Sequence, residues 1–225
     1  MPFVTSDLIR KAYKKNECRV FLIYGPLGIG KSTFASKVLA ELYAVKGAPN
    51  WEAVKTRIVF TPKQFVEKCE YMIENDIRDL SLIWDDAGLA LLALEFQNPW
   101  IRAVIKYLNV MRTNLASLIL TTPLPTWIIK KIRGFPQCVT VKIIRARSDE
   151  AHPKRYRIAK AYRFWISPDM KKSGVTRIYE DFFTALMPNK FYYEFYKPLR
   201  ESYAKKAVRD MRAQLKNVIA ADEDL

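Results

Sequence analysis

The sequence predicts an α/β fold in which a mainly parallel, five-stranded sheet is covered by helices on both faces. Short apolar segments of the kind that form buried parallel strands alternate with segments whose apolar residues recur at helical spacing. The strand candidates are 18–24, 56–60, 80–84, 115–122 and 138–146. This alternation is typical of one compact domain, and a chain of 225 residues can bury a core of that size.

The helices expected between these strands have recognisable starts. Residues 5–7, Thr-Ser-Asp, are candidate N-caps for the first helix, and a second helix is expected over 31–47. The dipeptides at 61–62 and 98–99, Thr-Pro and Asn-Pro, each place a capping residue before a proline at the first helical position. A short helix over 126–134 separates the fourth strand from the fifth.

The character of the sequence changes after residue 147. Segment 154–166 alternates basic and apolar residues as a strand does, and segment 175–179 is expected to pair with it. Beyond Glu180 the sequence has a helical pattern up to an acidic tail. We therefore predict a core over residues 1–147 and a small basic C-terminal extension over 148–225, made of a β-hairpin and helices.

The composition of the chain indicates which class of partner it binds and in which cellular compartment it is expected. The formal net charge of +15 favours a polyanion such as nucleic acid as partner, although a generally basic surface kept for solubility is the alternative. No apolar run reaches the ~20 residues of a membrane span, and the first residues do not have the pattern of a signal peptide. Three widely separated cysteines match no metal or disulfide spacing. We expect a cytoplasmic protein without membrane association.

Segment 24–33, YGPLGIGKST, carries the phosphate-binding pattern known as Walker A: Gly25, four residues, then Gly30, Lys31 and Ser32. The glycines let backbone N–H groups turn toward phosphates, and the dipole of the following helix adds to the attraction. Lys31 is expected to contact the terminal phosphates of ATP, and Ser32 to ligate Mg²⁺. The residues expected to bind the nucleotide are Gly25, Pro26, Leu27, Gly28, Ile29, Gly30, Lys31, Ser32 and Thr33.

Two carboxylates follow the apolar segment 80–84. A strand that ends in a carboxylate places it at the carboxyl edge of the sheet, beside the phosphate loop. Asp85 is therefore expected to hold Mg²⁺ together with Ser32, and Asp86 to orient the attacking water as a catalytic residue. Hydrolases of this kind more often carry Glu at the second position, and Asp86 also fits a helix cap.

Two further catalytic groups are expected after later strands. Segment 115–122 ends in Thr121 and Thr122, of which we assign Thr122 as the polar sensor of the γ-phosphate or the attacking water. Arg133, at the end of the next short helix, is expected to reach the nucleotide of a neighbouring subunit, because a guanidinium is permanently charged and presents a planar set of donors. Arg133 and its neighbouring lysines equally fit a solvated helix face.

The segments FLIYGPLGIGKST, LIWDDAG and RTNLASLILTTPLP, taken in this order, resemble the small P-loop ATPases of archaeal spindle-shaped viruses (fuselloviruses) and related plasmids, which are described as DnaA-like or AAA-type. The resemblance covers residues 1–145. It implies a P-loop NTPase fold of the ASCE/AAA-like type. The chain departs from DnaA itself in lacking a helix-turn-helix module and a sensor-2 arginine, so sequence-specific origin binding is not implied.

The preferred interpretation is a Mg²⁺-dependent ATPase that acts on DNA as a homo-oligomer, in replication or maintenance of an archaeal virus or plasmid; for a virus, it would act in the host cytoplasm. A DNA-packaging or translocating motor is a related alternative. A small-molecule or nucleoside kinase is a second alternative, in which the arginines of 145–157 close over phosphates. The third is a nucleotide-switched, DNA-binding scaffold without hydrolysis.

The expected DNA site lies where the charge is concentrated. Residues 126–163 contain eleven Lys or Arg and two acids, a local charge of +9. Basic residues on an alternating strand suit phosphates, and tyrosines beside them could stack on unpaired bases. The residues expected to contact DNA are Arg155, Arg157, Lys160 and Arg163. The alternatives are that the aromatic face packs on the core while the charges are solvated, or that DNA binds the basic helix around 205–212.

Overall fold

The sheet has seven strands, two more than the parallel core predicted from the sequence. The computed structural model describes residues 2–93, 97–135, 137–146 and 155–223. The strands are β1 Arg19–Tyr24, β2 Ile58–Val59, β3 Leu82–Trp84, β4 Ser117–Thr122, β5 Cys138–Arg145, β6 Tyr156–Ile166 and β7 Ser173–Thr184. Their order is β2-β3-β4-β1-β5-β6-β7. The first five strands of this order are parallel, as predicted, and β6 and β7 continue the sheet antiparallel.

Eight helices occur in the described part of the chain. They are α1 Val4–Lys14, α2 Lys31–Leu42, α3 Trp51–Lys55, α4 Pro62–Glu74, α5 Pro99–Val110, α6 Lys130–Arg133, α7 Asn189–Phe191 and α8 Lys197–Glu223. Short 3₁₀ segments lie at Ala87–Leu89, Met111–Thr113 and Pro125–Trp127, and a π-helix lies at Tyr192–Tyr196. None of the described helices combines the length and the apolar composition that crossing a membrane requires.

Two of the predicted helix starts are confirmed by their capping contacts. Thr61 Oγ1 accepts a hydrogen bond from the Gln64 N–H at 3.2 Å, and Gln64 Oε1 accepts one from the Thr61 N–H at 3.2 Å, which is a complete capping box. Asn98 Oδ1 accepts from the Trp100 N–H at 3.0 Å at the start of α5. Local capping residues followed by proline were therefore sufficient to place both helices.

The predicted cap of α1 is wrong. The helix begins at Val4, and Thr5 lies inside it. Its first N–H groups are satisfied by Asp181 of β7, which accepts from the Val4 N–H at 2.7 Å and from the Thr5 N–H and hydroxyl at 3.1 and 2.7 Å. Asp181 is only 4% exposed. A carboxylate is favourable at a helix N-terminus because it opposes the helix dipole.

Helices cover the sheet on both faces, as predicted. On one face Leu22 of β1 and Leu118 of β4 belong to a buried cluster that also contains Phe65 of α4 and Ile101 of α5. On the other face the ring of Phe34 in α2 packs on Phe183 of β7, with ring centroids 5.0 Å apart. Burial of these side chains provides the main driving force for the fold.

The three cysteines are buried and free. Burial raises the pKa of the Cys18 and Cys138 thiols to about 12 and that of Cys69 to about 11. They remain protonated at neutral pH and fill space as small apolar groups, in agreement with the sequence.

The chain forms two compact units, Met1–Leu186 and Met187–Leu225. The predicted boundary at 147 differs from this division, because β6 pairs with β5 along seven residue pairs and so belongs to the same sheet as the core. The predicted helical segment after Glu180 also begins later, since β7 continues to Thr184. The second unit contains α7, the π-helix and α8, and its rings contact one another, with Phe191 and Phe195 5.4 Å apart.

Candidate nucleotide site

The segment between β1 and α2 turns tightly over its glycines. Gly25 has φ of +150° and Gly30 has φ of +108°, conformations that other L-residues rarely adopt. A Cβ at Gly25 would lie 3.0 Å from the Ile143 carbonyl oxygen, and one at Gly30 would lie 3.0 Å from Cβ of Ala185. Both the backbone angles and the close neighbours therefore require glycine, which explains the spacing seen in the sequence.

Lys31 is the first residue of α2 and is only 6% exposed. Its Nζ donates hydrogen bonds to the carbonyl oxygens of Gly25 at 2.9 Å and Pro26 at 3.0 Å. The ammonium group thus lies across the loop. It is held close to the helix N-terminus, where a phosphate would also be attracted by the helix dipole.

Asp85 lies at the end of β3 and is fully buried. Its Oδ1 accepts hydrogen bonds from Ser32 Oγ at 2.8 Å and from Thr121 Oγ1 at 2.6 Å. The predicted metal ligands Ser32 and Asp85 are therefore neighbours. Hydroxyl and carboxylate oxygens suit Mg²⁺, which usually takes only one or two protein ligands and completes its shell with water and phosphate. The described residues contain no cluster of three or more His, Cys, Asp or Glu that could hold a metal alone.

The polar residue that β4 directs toward this site is Thr121, not the predicted Thr122. Besides donating to Asp85, the Thr121 hydroxyl accepts from the Asp86 N–H at 2.8 Å. The Thr122 hydroxyl instead donates to the Leu124 carbonyl at 3.0 Å. Successive side chains of a strand point to opposite faces, so only one of the two threonines can face Asp85.

Asp86 occupies the N-cap position of the 3₁₀ segment Ala87–Leu89, but its side chain makes no capping hydrogen bond. Its backbone is left-handed, with φ of 51° and ψ of 35°. Asp adopts this conformation more readily than most non-glycine residues, because its short polar side chain can hydrogen-bond locally. Without a capping hydrogen bond, the alternative in which Asp86 serves as a helix cap is not supported.

Arg133 lies at the end of α6, between β4 and β5, as the sequence predicted. It is half-buried, and its Nε donates to the Ile128 carbonyl at 2.8 Å. The guanidinium is thus oriented by its own connecting segment. Its predicted contact with a neighbour's nucleotide concerns an assembly of several chains and stays a prediction.

Arg157 of β6 contacts the phosphate loop, which the sequence did not predict. It is 6% exposed, and its Nε donates to the carbonyl of Ile29 at 2.9 Å. A second donor on the same guanidinium bonds the Tyr156 carbonyl at 2.9 Å. A side chain buried in this way is not available to DNA phosphates, so the expected DNA contact by Arg157 is corrected to a contact that supports the loop.

The end of β7 contacts α2 and the glycine that precedes it in a similar way. Lys37 Nζ donates to Thr184 Oγ1 at 2.6 Å, and burial lowers the pKa of Lys37. Ala185, just beyond the strand, is the residue whose Cβ lies close to Gly30. Both strands of the β6–β7 hairpin therefore contact the loop and its helix. The alternating pattern of β6 in the sequence indicated a strand. It did not indicate that this strand pairs with β5, because such pairing depends on residues far apart in the sequence.

The other residues expected to bind DNA have different surroundings. Arg155 and Arg163 are exposed. Lys160 is half-buried and forms an ion pair with Glu180 at 3.5 Å. On the strand face that carries Arg157, Ala159 and Ala161 are fully buried, so this part of the face packs against the core. Residues 147–154, which form most of the segment 145–157 that the kinase alternative assigns to closing over phosphates, lie outside the described part of the chain.

These features define a P-loop NTPase. The Walker A loop follows β1, the carboxylate of Asp85 follows β3, and β4 lies between these two strands in the sheet. This is the arrangement in which a polar residue at the end of the intervening strand lies beside the carboxylate, and Thr121 occupies that place.

No family model matches the chain. It is 30% identical over 121 residues to the uncharacterized protein ORF286 of Acidianus two-tailed virus, a match that covers 52% of this chain and 41% of that protein. It is also 30% identical over 128 residues to the uncharacterized protein B-251 of Sulfolobus spindle-shape virus 1, covering 56% of this chain and 51% of that protein. The chain thus spans about half the length of these curated relatives, which both come from archaeal viruses.

Solved structures with some likeness include the N-terminal domain of zonular occludens toxin from Neisseria meningitidis, with a TM-score of 0.41 and 15% identity over 78% of this chain and 97% of that chain. A KaiC-like protein from Pyrococcus horikoshii OT3 has a TM-score of 0.36 and 18% identity over 72% of this chain and 89% of that chain. The strand order and the phosphate loop define the fold independently of these likenesses.

Proposed function

We propose that this chain is a Mg²⁺-dependent ATPase that acts on DNA as a homo-oligomer, in replication or maintenance of an archaeal viral or plasmid genome. The observation that carries the ATPase proposal is the contact of Ser32 and Thr121 with the same oxygen of Asp85, next to Lys31. The relatives from archaeal viruses support the proposed setting. The net charge of +15 supports nucleic acid as partner.

The residues of the site have distinct roles in this proposal. Ser32 and Asp85 would hold Mg²⁺, which neutralises developing charge on the phosphates when bound. Lys31 would exchange its bonds to two loop carbonyls for bonds to the terminal phosphates. Asp86 would orient a water molecule. The Thr121 hydroxyl holds both aspartates, since it donates to the Asp85 carboxylate and accepts from the Asp86 N–H. Catalysis would come from positioning and electrostatic stabilisation.

The test of this proposal is steady-state ATP turnover by the full chain with Mg²⁺, alone and with single- or double-stranded DNA. We expect turnover that requires Mg²⁺ and rises with DNA. Lys31→Ala should abolish hydrolysis and strongly weaken ATP binding, because the terminal phosphates lose their fixed cation. Full turnover by Lys31→Ala would contradict the assignment of the loop. Turnover that responds to nucleosides and not to DNA would identify a kinase instead.

The oligomeric part of the proposal concerns Arg133. Arg133→Ala should keep ATP affinity while turnover falls by up to about 10³- to 10⁵-fold, the range known for arginine fingers. Mixing Arg133→Ala with Lys31→Ala should restore part of the turnover, because each variant supplies to the shared site what the other lacks. If mixed oligomers form and turnover does not recover, Arg133 does not act on a neighbour's nucleotide.

A further inference from the structure

Strands β5, β6 and β7 present a second surface, on the sheet face opposite to Arg157. Residues that are paired across antiparallel strands point to the same face of a sheet. Lys142, Lys160 and Glu180 form one cross-strand row. Tyr162 is paired with Arg177 in the next row. The register therefore gathers rings and cations that are far apart in the sequence.

This surface continues toward both ends of the hairpin. Phe164 is paired with Val175 at one end, and Phe182 with Ile158 at the other. We call six of the residues on it the basic-aromatic face: Lys142, Lys160, Tyr162, Phe164, Arg177 and Phe182.

Two of the three rings of the basic-aromatic face are exposed, and the third, Tyr162, is half-buried. Phe182 is 68% exposed and Phe164 is 47% exposed. Val175, which lies beside Phe164, is 65% exposed. Single exposed apolar residues are common on protein surfaces, so these rings gain significance through the cations that lie between them on the same sheet face.

The charges of the same surface favour an anionic partner. Glu180 pairs with Lys160 at 3.5 Å and with Arg177 at 2.8 Å. Lys142 is exposed. Three cations and one carboxylate leave a net charge of +2 among the rings. The ion pairs also fix Lys160 and Arg177 beside Tyr162, so cations and rings are interleaved rather than segregated.

We propose that the basic-aromatic face binds an unpaired DNA strand, with bases stacked on the exposed rings and phosphates contacting Lys142 and Arg177. This inference rests on the proposed action on DNA and specifies the form of DNA that is bound. A pleated surface that carries rings reaches the faces of bases only when those bases are not stacked in a duplex. Cations beside the rings attract the backbone of the strand irrespective of its sequence.

Two other occupants fit the surface less well. A second copy of the chain in a symmetric contact would bring Lys142 and Arg177 toward the same cations of its partner, and the cores of protein interfaces are depleted of lysine. A lipid surface would accept the rings, but here the cations lie between the rings and not around them. Binding to anionic vesicles is therefore treated as an outcome of the test.

The test measures binding of the full chain to a dye-labelled oligothymidine of about 16 nucleotides by fluorescence anisotropy, without ATP. Phe182→Ala and Phe164→Ala should each weaken binding by about 5- to 150-fold, the value of one stacked base. Phe182→Leu, which keeps apolar bulk but no aromatic face, should lose as much. Tyr71→Ala, which removes a ring that is 56% exposed on α4, is the matched control and should bind normally.

Salt dependence separates the two kinds of contact. Arg177→Gln should make the log–log slope of affinity against salt shallower by about 0.7, because one phosphate contact is lost. Phe182→Ala should leave that slope unchanged while affinity falls. Unchanged binding by both Phe→Ala variants would overturn the inference. So would ring-dependent binding of a matched duplex with equal affinity, or of anionic vesicles in place of the oligonucleotide.

Failure of this inference can be distinguished from failure of the ATPase proposal. The same titrations on Lys31→Ala should show ring-dependent binding, because the basic-aromatic face does not include the phosphate loop. Ring-dependent binding by the unmodified chain, if that chain hydrolyses no ATP under any condition, supports the inference and refutes the ATPase. If DNA stimulates turnover but the Phe→Ala variants bind the oligonucleotide as tightly as the unmodified chain, the ATPase proposal is supported and the inference is refuted.

Discussion

The phosphate-loop edge of the sheet and the basic-aromatic face are built by neighbouring strands but have opposite character. At the loop edge Lys31, Asp85 and Arg157 are buried, and each contacts named partners within 3.0 Å. On the basic-aromatic face Phe164 and Phe182 are exposed. The loop edge is therefore held by hydrogen bonds within the chain, whereas the face presents two phenylalanine rings to solvent.

Among substitutions at the loop edge, the largest loss of turnover is expected at Asp85. Asp85→Asn replaces an acceptor of two hydroxyl donors with an amide and removes the charge that Mg²⁺ requires. Turnover should fall on the order of a thousandfold. Titration of activity with Mg²⁺ checks this, since the variant should need far more of the ion. Wild-type Mg²⁺ dependence would mean that another residue holds the metal.

A smaller effect should separate the two threonines of β4. Thr121→Val removes a buried hydrogen bond to a carboxylate, which contributes about 1.5 to 3 kcal/mol, so turnover should drop by about 10- to 100-fold. Thr122→Val removes only the bond to the Leu124 carbonyl and should cost about 1 kcal/mol in the free energy of unfolding with normal turnover. Turnover and urea unfolding of both variants test this. Equal losses of turnover would contradict the assignment of Thr121.

The smallest effect concerns Arg157, which connects the hairpin to the loop. Arg157→Gln should raise KM for ATP by about tenfold, corresponding to about 1.4 kcal/mol, and leave kcat nearly unchanged, because the loop loses its support while the reacting groups remain. Arg155→Gln, at an exposed position two residues earlier, is the control and should behave as wild type. A fall in kcat without a change in KM would show that Arg157 acts on the reaction itself.

Much of the fold was predictable because its signals are local. Apolar runs located the five parallel strands, the Thr61 and Asn98 caps placed two helices, and glycine spacing identified the loop. Asp85 followed from its place at the end of a strand. Each of these features is decided by residues within a few positions of one another.

The features that sequence did not predict depend on pairing between distant segments. Whether Thr121 or Thr122 contacts Asp85 depends on which face of β4 is turned toward that residue. Asp85 precedes Thr121 by 36 residues in the sequence. The burial of Arg157 follows from its approach to Ile29, 128 residues away. An alternating pattern shows that a strand has two faces, but it does not show which one the core will cover.

The contact of Asp181 with the start of α1 has a consequence for the time course of synthesis. The first helix of the chain receives its carboxylate partner from a residue 176 positions later. At ribosomal rates of about 5 to 20 residues per second, roughly 9 to 35 seconds pass before that partner emerges. During this interval the N–H groups that Asp181 will accept from can bond only to water. The last strand of the sheet thus supplies contacts to both α1 and α2, so the unit Met1–Leu186 reaches its final form only after β7 has left the ribosome.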